Sequence, residues 1–245
     1  MVNEILRDQA AEHERHIDVP GTRNLRDVGG YPAGAGRRTR WRTLFRSDAL
    51  DQLPDASIAR IGGLGIRTAI DLRWPSELEV APSVFAASTS IRYVSVELLD
   101  NAPAPPGGVM PIYRRMLDER GAEIAAVVAA LLEPDALPAV VGCAAGVDRT
   151  GVTIAVILSA VGVPVEVIAT DYALSAQSFA GPPAGFAFTD WRNDPVEIDC
   201  QPQYMTATLD YLRHRHAGAE ALLARHGIGA DAIARLRELL TEPTP

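Results

Sequence analysis

Short β-rich runs alternate with stretches of helical periodicity along most of the chain. Residues 41–47 (WRTLFRS), 65–73 (GIRTAIDLR) and 91–98 (IRYVSVEL) are bounded by Gly, Pro or Asp, which predicts three strands. Residues 137–142 (LPAVVG) form the most apolar run and read as a fourth strand, covered on both faces. Residues 112–132 end in Ile124, Val127, Val128, Leu131 and Leu132, spaced three and four apart, which predicts a helix. Further helices are expected at about 203–217, 218–226 and 230–240, with Gly227 and Gly229 separating the last two. Strands alternating with helices define an α/β fold, a central sheet with helices packed on it.

Two stretches fall outside this alternation. Residues 1–20 are polar and weakly helical and end at the Pro20-Gly21 turn, so they read as an N-terminal arm on a single domain of residues 21–245. The proline-rich stretch 181–202 breaks the periodicity and reads as a long surface loop or a hinge. No internal repeat interrupts the pattern.

Composition then narrows the chemistry. At 47% hydrophobic and 22% charged residues, the 245-residue chain has the make-up of a folded soluble protein. No run approaches the roughly 20 apolar residues of a membrane span, and the charged start MVNEILRDQAAEHERH is unlike a signal peptide, so a cytoplasmic location is expected. A net charge of −8 disfavours nucleic acid as a partner. All 23 basic residues are arginine, which excludes lysine Schiff bases and the GxxxxGK[ST] nucleotide loop. His13, His16, His214 and His216 lack an accompanying set of Cys or carboxylate ligands and read as solvent-facing, so no metal and no other cofactor is expected. The two cysteines, Cys143 and Cys200, are too few for a disulfide framework, which points to a chemical use for any special cysteine. A protective disulfide between them is one reading of Cys200; an isolated loop thiol is the plainer one.

The chemistry concentrates in residues 140–151, Val-Val-Gly-Cys-Ala-Ala-Gly-Val-Asp-Arg-Thr-Gly, which run from a strand through a tight loop into a helix. A loop entering a helix aims backbone N–H groups and the positive helix end at one point, a ready phosphate site. Ala144, Ala145 and Gly146 are small enough for close backbone approach, and Val147, Asp148 and Arg149 complete the candidate phosphate loop. The same field favours a thiolate, the nucleophilic form, which makes Cys143 the candidate nucleophile. Arg149 can grip two phosphate oxygens with its planar fork. Thr150 is placed either to donate its hydroxyl to the cysteine sulfur or to cap the helix. For the general acid there are two candidates, Asp148 in the loop and Asp71 at a strand end. Asp148 reads alternatively as a carboxylate orienting Arg149, and Asp71 as the ion-pair partner of an arginine.

These segments resemble the bacterial cysteine-dependent tyrosine phosphatases of the atypical dual- or triple-specificity kind. The likeness covers nearly the whole chain: Asn24-Leu25-Arg26-Asp27-Val28-Gly29-Gly30, Arg46-Ser47, Asp71-Leu72-Arg73, the Cys143 to Arg149 loop and Asp171-Tyr172 occur in the family's order. The resemblance implies a tyrosine-phosphatase-like, mostly parallel sheet and a helical lid at about 165–226. It also implies Cys143 as nucleophile, Arg149 as phosphate clamp, Asp148 as general acid, and no metal. Two positions depart from the pattern: Gly142 stands where the family has histidine, and Val147 where it has lysine. The loss of the lysine argues against highly phosphorylated head groups.

Together these readings describe a phosphomonoesterase working through a phosphocysteine, on phosphotyrosine protein or a small nucleoside or sugar phosphate. Arg26, Asp27, Arg46, Asp71 and Arg73 are candidates for the substrate pocket or for surface salt bridges. A phosphate-ester binding module that has lost turnover is the alternative.

Overall fold

The computed structural model of the protein describes residues 15–99, 108–179, 188–189, 195–196 and 198–244. The first seven strands are β1 (Arg26–Asp27), β2 (Pro32–Ala33), β3 (Arg37–Thr39), β4 (Leu44–Ser47), β5 (Thr68–Asp71), β6 (Arg92–Ser95) and β7 (Ala139–Gly142). The central sheet has the order β1-β4-β7-β5-β6, in which β4, β7, β5 and β6 are parallel and β1 joins the edge antiparallel. The four expected strands thus form, each inside its expected bounds, and the mostly parallel α/β architecture follows. Strands β8 (Phe188–Thr189) and β9 (Pro195–Val196) pair with each other, and β10 (Thr241–Pro243) pairs with β3 in a small sheet with β2.

Side chains alternate between two cores, as the two-residue strand period requires. Leu44, Ile70, Ala139 and Val141 face the larger core, whereas Phe45, Ala69 and Val140 face a smaller one with Val19, Leu25, Ile61 and Phe85. Helices α1 (Asp55–Gly63) and α2 (Pro75–Val80) follow β4 and β5. The larger core is built by α3 (Val109–Glu119), α4 (Gly121–Leu132), α5 (Asp148–Ala160), α6 (Val165–Ala173), α8 (Pro202–His216), α9 (Ala219–Arg225) and α10 (Ala230–Leu240), with the short α7 (Ser175–Phe179) between α6 and α8. Helix α5 is buried from Arg149 to Leu158, which explains why its sequence is apolar all round rather than on one stripe.

Two expectations are corrected. The helix expected over 112–132 is two helices, broken at Arg120, where φ is −120° and ψ is 25°. Gly121 follows the break and weakens a continuous helix; an added Cβ there would meet the ring of His226, an exposed side chain whose end can shift. In the region expected to supply a lid, 165–226, the described residues Val167, Ile168, Tyr172, Met205, Leu209 and Leu212 are buried in the larger core. Most of the proline-rich stretch proposed as its hinge lies outside the described residues, as do His13 and residues 1–14 of the N-terminal arm. His216 is not solvent-facing; its ring nitrogens meet Asp118 Oδ1 and the Arg225 guanidinium, each at 2.8 Å.

Candidate active site

The loop between β7 and α5 is shaped from behind. Ala49 N–H donates to the carbonyl of Ala144 at 3.0 Å. Asn24 Nδ2 donates to the carbonyls of Ala145 and Gly146 at 3.0 and 3.1 Å, and Arg46 Nη2 to that of Gly146 at 2.8 Å. In a trans peptide the carbonyl and the following N–H point in opposite directions. Tying three consecutive carbonyls to the scaffold therefore turns the N–H groups of Ala145, Gly146 and Val147 to the opposite face. The N-terminus of α5 adds its partial positive charge there, which gathers these amides beside Cys143 into a candidate anion site.

Gly146 makes this turn with φ +69°, and a Cβ would overlap the Ser47 carbonyl oxygen. Gly146→Ala combines left-handed strain with overpacking against backbone, so its melting temperature is expected to fall by roughly 5–15 °C in a thermal scan. Gly142 is also pressed by the end of β4: a Cβ would lie 3.1 Å from the Asp48 carbonyl oxygen and 3.2 Å from that of Ser47. A side chain at this position needs the Ser47–Asp48 backbone to give way slightly. Val147 is buried in the larger core, so only its backbone can face an anion.

Arg149 is 8% exposed and held by a residue the sequence reasoning did not single out. Its Nη1 and Nη2 donate to the two carboxylate oxygens of Glu77 at 2.5 and 2.8 Å, and its Cζ lies 4.9 Å from the centre of the Trp74 ring. Burial alone would lower the guanidinium pKa, but Glu77 and Cys143 outweigh it and hold Arg149 above its ordinary value. Glu77 is itself fixed, because Trp74 N–H donates to its Oε2 at 2.7 Å across the first turn of α2. Proline at the first helical position with glutamate two residues later marks the start of α2 in the sequence, but not its reach to Arg149.

Asp148 begins α5, and its Oδ1 accepts a hydrogen bond from Tyr113 Oη at 2.6 Å. Burial pushes its carboxyl above the ordinary value, and the Tyr113 bond and nearby Arg149 only partly pull it back. Asp71, the other candidate acid, is spent elsewhere: it accepts from the Arg73 guanidinium and backbone, and from Tyr93 Oη at 3.2 Å.

The remaining candidates divide between scaffold and site. Arg26 and Arg46 are buried, and both grip Asp171, Arg26 from Nε at 3.1 Å and Arg46 from Nη1 at 2.6 Å. Burial alone would raise the Asp171 carboxyl, yet Arg26, Arg46 and the Tyr31 hydroxyl hold it well below the usual carboxylate range. Neither arginine is a surface salt bridge. Arg46 braces the loop, while Arg26 also borders a cleft of about 500 Å³ with Arg15, His16, Arg23, Leu174, Gln177 and Ser178. Asp27 organises the turn after β1 by accepting from Gly29 and Arg42 N–H groups at 2.8 and 2.7 Å. Arg73 is neutralised by Asp71 and Asp51.

Thr150 departs from both of its expected roles. Among the described residues its buried hydroxyl has no hydrogen-bond partner, so it neither reaches the Cys143 sulfur nor caps α5, whose N-cap is Val147. Cys200 is a free thiol in the segment before α8, buried in the larger core, where burial and Asp148 push its thiol pKa up to about 12. Among the described residues no group of three or more His, Cys, Asp or Glu side chains is gathered to hold a metal, and no helix is long and apolar enough to cross a membrane.

A mostly parallel sheet that brings a cysteine and an arginine together on one strand–loop–helix segment is the framework of a phosphoric monoester hydrolase. The chain belongs to the tyrosine phosphatase family, whose sequence profile matches residues 17–242. It is 25% identical over 214 residues to a tyrosine-protein phosphatase of Nostoc commune, covering 78% of this chain and 72% of the relative. It is 26% identical over 261 aligned positions to the triple specificity protein phosphatase PtpB of Mycobacterium tuberculosis, covering 92% of this chain and 88% of that one. The crystal structure of P. aeruginosa TpbA aligns over 86% of this chain and 94% of its own, at 18% identity and a TM-score of 0.38.

Proposed function

We propose that the protein hydrolyses phosphotyrosine in proteins through a phosphocysteine formed on Cys143. The observation that carries this reading is the loop itself, three carbonyls tied outward and the amides turned inward beside a buried cysteine and a pre-positioned arginine. Glu77 takes one N–H from each Nη of Arg149, which leaves the Nε and Nη2 edge for two phosphate oxygens. Cys143 Sγ attacks phosphorus, the ester P–O bond breaks, and the leaving oxygen takes the proton of Asp148. Water then attacks the phosphocysteine, giving its proton back to the Asp148 carboxylate as the P–S bond breaks and the thiolate leaves. Arg149 follows the charge as it spreads over the equatorial oxygens. The family and both named phosphatase relatives support the substrate class.

The test is phosphate release, without added metal, from phosphotyrosine peptides, phosphoinositides, nucleotides and sugar phosphates, with acid-quenched samples mapped for phosphocysteine. Preferred cleavage of phosphotyrosine peptides and a phosphorylated Cys143 are expected. Preference for a sugar or nucleoside phosphate would move the substrate class to small metabolites. Turnover with phosphate on another residue would overturn the mechanism.

The same reading makes Glu77 a positioning residue. Glu77→Gln keeps the shape but sets an amide N–H₂ against an Arg149 N–H. A fall in kcat/KM of about 100-fold is expected in steady-state assays, with circular dichroism unchanged.

A further inference from the structure

The described part of the site contains a chain of hydroxyl groups that the reaction outlined above does not use. Tyr113 Oη lies 2.6 Å from Asp148 Oδ1 and 2.7 Å from Tyr172 Oη. Tyr113 is fully buried on α3 and Tyr172 is buried on α6, and their rings meet edge to face at 87° with centroids 6.2 Å apart. An ionised carboxylate accepts only, so Tyr113 spends its single hydrogen on Asp148. Tyr172 must then donate to Tyr113, and the chain runs in one direction, from Tyr172 through Tyr113 to Asp148.

We infer that Tyr113, aligned by Tyr172, is a positioning residue that sets the acid strength of Asp148 and aims its free oxygen at the leaving group. The inference rests on Asp148 being the proton donor of the proposed reaction. With Oδ1 held by Tyr113, Oδ2 carries the proton that goes to the leaving oxygen. As that proton departs, charge grows on Asp148, and the Tyr113 bond strengthens because it becomes charge-assisted. Burial alone would leave Asp148 a reluctant acid; the Tyr113 bond works against that burial. Among the described residues the other titratable or charged groups coupled to Asp148 are Arg149 beside it on α5, Tyr172 itself, and Cys200 from the segment before α8, which is a neutral thiol at working pH. Among these groups Tyr113 is the one whose removal changes hydrogen bonding to the carboxyl without changing net charge.

The experiment is the pH profile of kcat/KM for wild type, Tyr113→Phe, Tyr172→Phe and Asp148→Asn on two substrates. One is a phosphotyrosine peptide, whose leaving oxygen needs a proton; the other is a nitrophenyl phosphate, whose leaving oxygen does not. In Asp148→Asn the basic limb on the peptide should vanish. In Tyr113→Phe that limb should move upward by about one pH unit, since a hydrogen bond that favours the carboxylate is gone. The rate loss on the peptide should exceed that on the nitrophenyl ester by about tenfold. Tyr172→Phe should move the limb the same way by less, which guards against a Tyr113 variant that folds poorly. A limb abolished by Asp148→Asn but unmoved in both tyrosine variants overturns the inference alone, as does an equal loss on both substrates. A limb that survives Asp148→Asn overturns the acid assignment itself and the inference with it.

Discussion

Cys143→Ser should lower phosphate release by on the order of 10⁴- to 10⁶-fold while leaving phosphate-ester binding intact. The serine hydroxyl is nearly the size of the thiol, and Cys143 is only 2% exposed, so the packing around it has little reason to change. In the proposed reaction the groups that recognise the anion are the loop amides and Arg149, and none of them depends on sulfur. What is lost is the sulfur nucleophile, for which an alcohol oxygen is a poor substitute. Steady-state phosphate release and titration calorimetry with a phosphotyrosine peptide check the two halves separately. Residual turnover within about tenfold of wild type would remove Cys143 from the mechanism.

Asp171→Asn should cost about 3–5 kcal/mol of stability, which lowers the melting temperature by roughly 6–20 °C for a domain of this size. The carboxylate is 1% exposed and answers two buried guanidinium groups, Arg26 and Arg46. An amide leaves both charges unbalanced away from water, and Arg46 is also a donor to the Gly146 carbonyl, so activity should fall with stability. The pH dependence has a definite sign. The folded Asp171 carboxyl lies below its unfolded value of about 3.9, so its stabilisation is complete above that pH and fades as pH falls through the lower folded value. Denaturant titrations from pH 7 down to pH 3 should find the gap between wild type and variant full at neutrality and narrowing below about pH 4.

The sequence was most legible where chemistry and local geometry coincide. The strand, loop and helix around Cys143 are contiguous, so periodicity and small residues identify them without tertiary information. The partners of that loop are not contiguous. Glu77 stands 72 residues before Arg149 and looks like any acid in a first helical turn; Tyr113 sits in the amphipathic pattern of α3 like a core aromatic. Arg26 and Arg46 were visible as unusual charges, but sequence could not tell a pocket arginine from one paired with Asp171. Thr150 failed for a related reason: its position suggested a donor, and only packing decides where a hydroxyl points. The break at Arg120 was hidden because the apolar spacing of α4 runs on from α3.

The distances along the chain between the loop and its supports have a consequence for when activity can exist. Asn24 reaches Ala145 across 121 residues, Arg46 reaches Gly146 across 100, and Arg26 reaches Asp171 across 145. A nascent chain that has just completed the Cys143 to Arg149 motif has the letters of an active site without α6, the element that anchors Arg46. Such non-local closure is intrinsically late in folding. Activity is therefore expected only of the finished topology, and partly folded chains carrying an intact motif remain without the ordered loop.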